Sequence, residues 1–181
     1  KVVAAARALQ AASPWTAPAA PELEVLVRTD AQLDAVIAAG LPEVTLDWME
    51  WVGLSRAVDR AKAAGLRVNV ATVRVHKPGE QGYDRRIAEM APHGVLVRHW
   101  AGLMTFADLP AEARPILHGD FSLNVTNSVT AHQLLALGLH TLTAAHDLDE
   151  AQLHALLDDF PAERVVVVAH HHIATFHTEH C

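Results

Sequence analysis

The last twelve residues, His170 to Cys181, read HHHIATFHTEHC and carry five of the chain's thirteen histidines and its only cysteine. They follow the apolar run Val165-Val166-Val167-Val168. A β-rich run that ends in imidazoles and a thiol is the pattern of a metal, cluster or acid–base site, because these side chains are borderline and soft ligands and titrate near neutrality. His177, His180 and Cys181 form the candidate metal set. His177 and His180 are three apart, so on a helix they would share a face. The zinc-protease helix needs His-Glu-x-x-His with four-residue spacing, and HTEH does not supply it. No Gly-x-Ser-x-Gly elbow is present. The other reading of Cys181 is a buried hydrophobe.

Around this cluster the chain alternates β-rich runs with amphipathic segments. The β runs are EVLVR (24–28), EVTLD (43–47), LRVNVATV (66–73), GVLVR (94–98), RPILHGD (114–120), LHTLTAA (139–145) and RVVVVAH (164–170). Helices are expected over 31–39, 54–64, 83–90, 130–137 and 148–157, the first closed by Gly40 and the second by Gly65. Between the fourth and fifth strands only a turn of helix is expected. Several β runs lack two-residue alternation, which fits strands buried on both faces. Strand and helix repeating at this spacing predict a parallel sheet with crossover helices. No Gly-x-Gly-x-x-Gly turn follows the first strand, which counts against a dinucleotide fold. The fold class expected is α/β, an incomplete (β/α) TIM-like barrel with about seven parallel strands. Residues 1–22 are expected to form an N-terminal helix and Pro-rich linker, and 23–181 the barrel-like domain. A full barrel usually needs about 250 residues, so this domain is expected to be a fragment of a longer chain.

Composition narrows the function. The chain has 181 residues, a net charge of −7 and 51% hydrophobic residues. That balance suits one core and argues against a nucleic-acid surface spread over the whole chain. A single cysteine forms no internal disulfide and fits a reducing cytoplasm. No run reaches the roughly 18 apolar residues of a membrane helix, so no membrane partner is expected.

In a barrel the active site lies at the C-terminal ends of the strands. The residues there are Asp47 and Trp48, Asn69 and Thr72, Arg98 and His99, His118 and Asp120, His146 and Asp147, then His170 to His172. His118, Asp120, His146 and His170 are the catalytic candidates, as acids, bases or their orienters. Asp47, Arg98, Asn124 and Asn127 are the substrate-binding candidates. Asn124 and Asn127 bracket a strand-to-helix turn, where Asn127 or Ser128 is also a natural N-cap.

The segment GDFSLNVTNSVTAHQLLALGLHTLTAAHDL (119–148), with HHHIATFHTEHC, resembles the collagenase-like bacterial peptidase family of unknown catalytic type. The resemblance spans about Glu24 to Cys181. It implies an incomplete or modified (β/α) barrel and a peptidase acting on peptide or protein. Other members of that wider family are oxygen-independent hydroxylation enzymes acting on RNA bases or quinone precursors, with an iron–sulfur cluster held by four cysteines. Cys181 matches one cluster cysteine. The stretch Ile173-Ala174-Thr175 lacks the earlier cysteine of many relatives, and later ones would lie beyond residue 181. A cluster is therefore expected only in a full-length protein; otherwise the cofactor is a divalent metal or none. His170 and His177, then Asn124 and Asn127, are the other positions carried over.

Three functions follow as expectations. Peptide-bond hydrolysis comes first, because the family's name points there. Iron–sulfur-dependent hydroxylation of RNA or a small aromatic precursor is second. A non-catalytic barrel module that binds a metal or partner through its histidines is third.

Overall fold

The computed structural model describes residues 22–48, 50–80 and 82–172. Of the N-terminal helix and linker expected over residues 1–22, residues 1–21 lie outside the described residues. So do His177, His180 and Cys181.

Seven strands form one sheet in the order β1-β2-β3-β4-β5-β6-β7, every neighbouring pair parallel. They are β1 (Leu26–Val27), β2 (Glu43–Leu46), β3 (Arg67–Ala71), β4 (Gly94–Val97), β5 (Ile116–Gly119), β6 (Thr141–Thr143) and β7 (Val165–Val166). Between them run α1 (Asp30–Ala38), α2 (Leu54–Ala63), α3 (Gly82–Glu89), α4 (Trp100–Ala107), α5 (Ser128–Ala136) and α6 (Glu150–Asp158). The strands follow sequence order without the reversal of a doubly wound sheet. The sheet curls into a half-barrel with the helices outside, which is the incomplete TIM-like barrel expected from the periodicity.

The two faces of this sheet differ in chemistry. Val27, Val44, Leu46, Val68, Val70, Val95, Val97, Leu117 and Leu142 point outward and are at most 2% exposed. They pack on helix positions such as Leu54, Ala57, Val58 and Ala61, which recur at i, i+3, i+4 and i+7. Each such fully buried Val or Leu contributes about 1.5–3 kcal/mol. The alternate positions face the concave side and are mostly polar or small: Glu43, Thr45, Asp47; Asn69, Ala71; Gly94, Leu96, Arg98; His118, Asp120; Thr141, Thr143. Because the strand period is two, this division is continuous across registered neighbours such as Ala71, Leu96 and His118.

Caps set the helix starts. Thr29 accepts from the Gln32 amide, Asn127 from that of Thr130, and Asp149 with Gln152 makes a reciprocal capping box.

Two elements depart from the expectation. The β4–β5 connection holds a helix of two turns, α4, rather than one turn. Its cap is His99, whose Nδ1 accepts from the Gly102 amide at 2.9 Å, so the usual Ser, Thr, Asp or Asn signal is missing. Leu103 and Phe106 anchor it, both fully buried. The seventh strand is expected over 164–170, yet only Val165–Val166 pairs. Its neighbour β6 has three residues, and β6's continuation, Ala144, bridges to Val125. Val167 and Val168 therefore leave the sheet and are exposed.

Candidate active site

At the C-terminal ends of the strands a charged cluster closes the half-barrel. Asp47, one residue past β2, receives Arg98 from the end of β4 in a bidentate pair: Nη1 to Oδ1 at 2.5 Å and Nη2 to Oδ2 at 2.8 Å. Arg28, just after β1, donates from Nε to Asp47 Oδ2 at 2.9 Å. Burial works to raise the Asp47 carboxyl, but the hydrogen bonds and charges of Arg98 and Arg28 outweigh it and hold it below the usual carboxylate range. The Arg98 side chain is 4% exposed; burial disfavours its charge, and Asp47 and Asp120 more than restore it. Arg98 Nε lies 3.5 Å from Asp120 Oδ2. Asp120 is buried, with the Ser122 hydroxyl 3.0 Å from Oδ2. That hydroxyl is also 2.8 Å from the Arg98 carbonyl oxygen, so its one proton serves either acceptor.

A second group of rings and cations borders the first. The Phe121 ring lies tilted by 35° against that of His146, which follows β6, with centroids 3.9 Å apart, and its centroid is 5.7 Å from that of His171. The His146 and His171 rings are 5.5 Å apart. Arg74, from the β3–α3 loop, places its guanidinium carbon 5.2 Å from the Phe121 centroid. Burial and the nearby charge of Arg98 lower its pKa. Arg74 forms no ion pair among the described residues. The His171 imidazole is lowered by burial and then by Arg28, His146 and Arg74, so it is neutral at pH 7. Three arginines thus face two carboxylates, and the mouth carries an excess of positive charge suited to an anionic ligand group.

The expected site residues divide between this mouth and other places. Asp47, Arg98, Asp120 and His146 are brought to it. His118 sits one layer deeper on the concave face, with Nδ1 2.8 Å from Thr141 Oγ1. Burial pushes its pKa down to about 4. His170 is exposed and meets His172 edge-on at 5.5 Å, while its neighbour His171 turns toward the mouth. Asn127 commits its side-chain oxygen to capping α5. Asn124 is exposed in a left-handed conformation, φ +56°, that closes the turn Phe121–Leu123. Arg28, Arg74 and Phe121 are the mouth residues that sequence reading did not select. Arg28 could have been found, since it directly follows a strand as Arg98 does.

Among the described residues no group of three His, Cys, Asp or Glu side chains could hold a metal ion. One cysteine cannot supply the four thiolates of a standard iron–sulfur cluster.

No family model matches the chain. No curated protein matches it either. Among solved structures, the U32 peptidase Mk0906 superposes with a TM-score of 0.58 at 17% identity, covering 86% of this chain and 72% of that one. An HpcH/HpaI aldolase from Desulfitobacterium hafniense DCB-2 follows at TM-score 0.45 and 12% identity, over 77% of this chain and 66% of that one. The first likeness is one of fold, and it agrees with the half-barrel.

Proposed function

We propose that this chain is the barrel of a cytoplasmic peptidase that hydrolyses peptide bonds in substrates presenting a carboxylate to the mouth. The observation that carries this reading is Arg74. Among the described residues it is a guanidinium without a carboxylate partner, placed beside Arg98 and over Phe121, while Asp47 and Asp120 are already engaged by Arg98. An anionic substrate group is the partner it lacks. His171, neutral at pH 7, can take the proton of an attacking water, and a guanidinium can stabilise the oxyanion that forms at the carbonyl. The resemblance to collagenase-like peptidases and the fold likeness to a U32 peptidase support the same reading. The test is to incubate the protein with a pool of short peptides and count new amino termini, with and without a chelator. Arg74→Gln should cut kcat/KM at least tenfold. A complete lack of new termini in every condition would sink the proposal.

One observation favours a second reading, hydroxylation of an aromatic precursor or RNA base. Phe121, His146 and His171 present ring faces and edges at the mouth, a surface on which a planar substrate could stack. Binding of a carboxylated aromatic acid in preference to every peptide would move the assignment there.

A further inference from the structure

Arg74 stands on a loop rather than at a strand end, yet the mouth depends on where it points. The loop leaves the sheet at Thr72, which is tied to the end of β4. The Thr72 amide donates to the Leu96 carbonyl at 3.0 Å, and its hydroxyl accepts from the Arg98 amide at 3.0 Å. Arg98 Nη1 also donates to the Thr72 carbonyl oxygen at 3.3 Å. Further along, the loop is tied to that strand end again. The His76 ring stacks on the ring of His99, the residue after Arg98, with centroids 4.9 Å apart and planes 9° from parallel. Arg74 sits midway between these two ties. Fixing both ends of so short a span restricts the backbone that carries its side chain.

His99 is itself held. Its Nδ1 accepts from the Gly102 amide at 2.9 Å and caps α4. A backbone N–H can only donate, so Nδ1 is unprotonated and the neutral ring carries its hydrogen on Nε2. Burial and the neighbouring His76 lower the His99 pKa, so the capped ring is the form present at pH 7. A Cβ on Gly102 would lie 3.0 Å from His99 Cε1, so glycine leaves the ring its place at the start of α4. His76 Nε2 and His99 Nε2 are buried with no hydrogen-bond partner among the described residues. What joins the two loops is therefore ring face on ring face.

Resting on the peptide reading above for the identity of the ligand, we propose that His76 and His99 are positioning residues for the substrate carboxylate. Their stack anchors the β3–α3 loop at its far end and so holds the Arg74 guanidinium over Phe121 and beside Arg98. Charge does not hold it there. Burial and the cations Arg98 and Arg28 act against the Arg74 charge more than Asp120 and Asp47 favour it. The stack supplies the restraint instead. An incoming carboxylate then meets a guanidinium already in place, and binding does not have to order the loop. The gain falls on substrate binding, with little effect on the later steps.

The test reads Arg74 directly, in the whole chain at pH 7. The Phe121 ring current should move the Arg74 Hδ and Hε proton resonances upfield, and Phe121→Leu sets their value without it. His76→Ala should bring the shift to the Phe121→Leu value. His76→Phe keeps an aromatic face and should retain the shift. His99→Asn deletes the ring but leaves a residue that can cap α4, and should act as His76→Ala does. In peptide cleavage His76→Ala should raise KM about tenfold with kcat little changed, and His76→Phe should restore KM. An Arg74 shift unchanged by both His76→Ala and His99→Asn overturns the inference. So does a His76→Phe variant that behaves as His76→Ala. If His76→Ala does not fold, His99→Asn decides by the same resonances. An Arg74 shift that follows the stack in a protein that cleaves no peptide sinks the peptide reading and leaves the positioning of Arg74 standing.

Discussion

Arg28 and His171 meet across the open side of the half-barrel. Arg28 Nη2 and His171 Nε2 are 3.4 Å apart, although the residues are 143 positions apart in the chain. One follows the first strand and the other follows the last, so this contact brings the two edges of the sheet to one mouth. It also places a neutral imidazole beside the Asp47–Arg98 pair.

That placement has a kinetic consequence. Burial and the charges of Arg28, His146 and Arg74 keep His171 unprotonated to a lower pH than the ordinary imidazole value of about 6.5. A general base of this kind gives a rate that is level at neutral pH and falls on an acid limb at lower pH than an ordinary imidazole would give. His171→Gln should lower kcat/KM of peptide cleavage by about 10²–10⁴ and remove that limb. A pH–rate profile unchanged by the substitution would exclude His171 as the base.

Arg98 holds the mouth together, and its loss should be felt in stability. Arg98→Leu leaves the Asp47 carboxylate with Arg28 alone, in a site where it is largely buried. A broken buried pair costs about 3–5 kcal/mol. The urea midpoint should fall accordingly, and adding Asp47→Asn should recover much of the loss. Equal destabilisation by the single and double variants would show that the pair itself carries little of the cost.

His118 gives a stability effect that depends on pH. Its folded pKa, about 4, lies below the unfolded imidazole's 6.5. Between these values the unfolded chain binds the extra proton, so stability is full above pH 6.5 and drains as pH falls toward 4. The amount is on the order of 3 kcal/mol. His118→Gln should flatten this part of the curve, measured by denaturant unfolding from pH 4 to 7. An unchanged slope would place the titration elsewhere.

Asp84, on α3, is fully buried, and neither carboxylate oxygen has a hydrogen-bond partner among the described residues. Burial raises its pKa, with His76 opposing. A raised carboxyl means the folded state holds the proton more tightly, so this group's cost grows as pH rises through its folded pKa. Asp84→Leu should stabilise the protein at pH 7 by about 1–3 kcal/mol, the cost of an unsatisfied buried polar group. A loss of stability would show that Asp84 has a partner that matters.

Much of this protein was legible in its residue order. The alternation of β runs and capped helices specified a parallel sheet, because the local signals act over a few residues: a glycine after each of the first two helices, an N-cap before others, unbroken Val and Leu in the strands. The rule that barrel chemistry lies at the strand ends then selected Asp47, Arg98, Asp120 and His146. Local signals could not settle what depends on curvature and rotation about the strands. The choice of His171 over His170 follows from where the chain leaves the sheet after Val166. Arg74 comes from a loop whose path is set by its neighbours. Asn69 and His118 close over Gly94 only because strands three, four and five bring the three residues side by side. Residue types and their period decide which side chains are available; the curl of the sheet decides which of them meet.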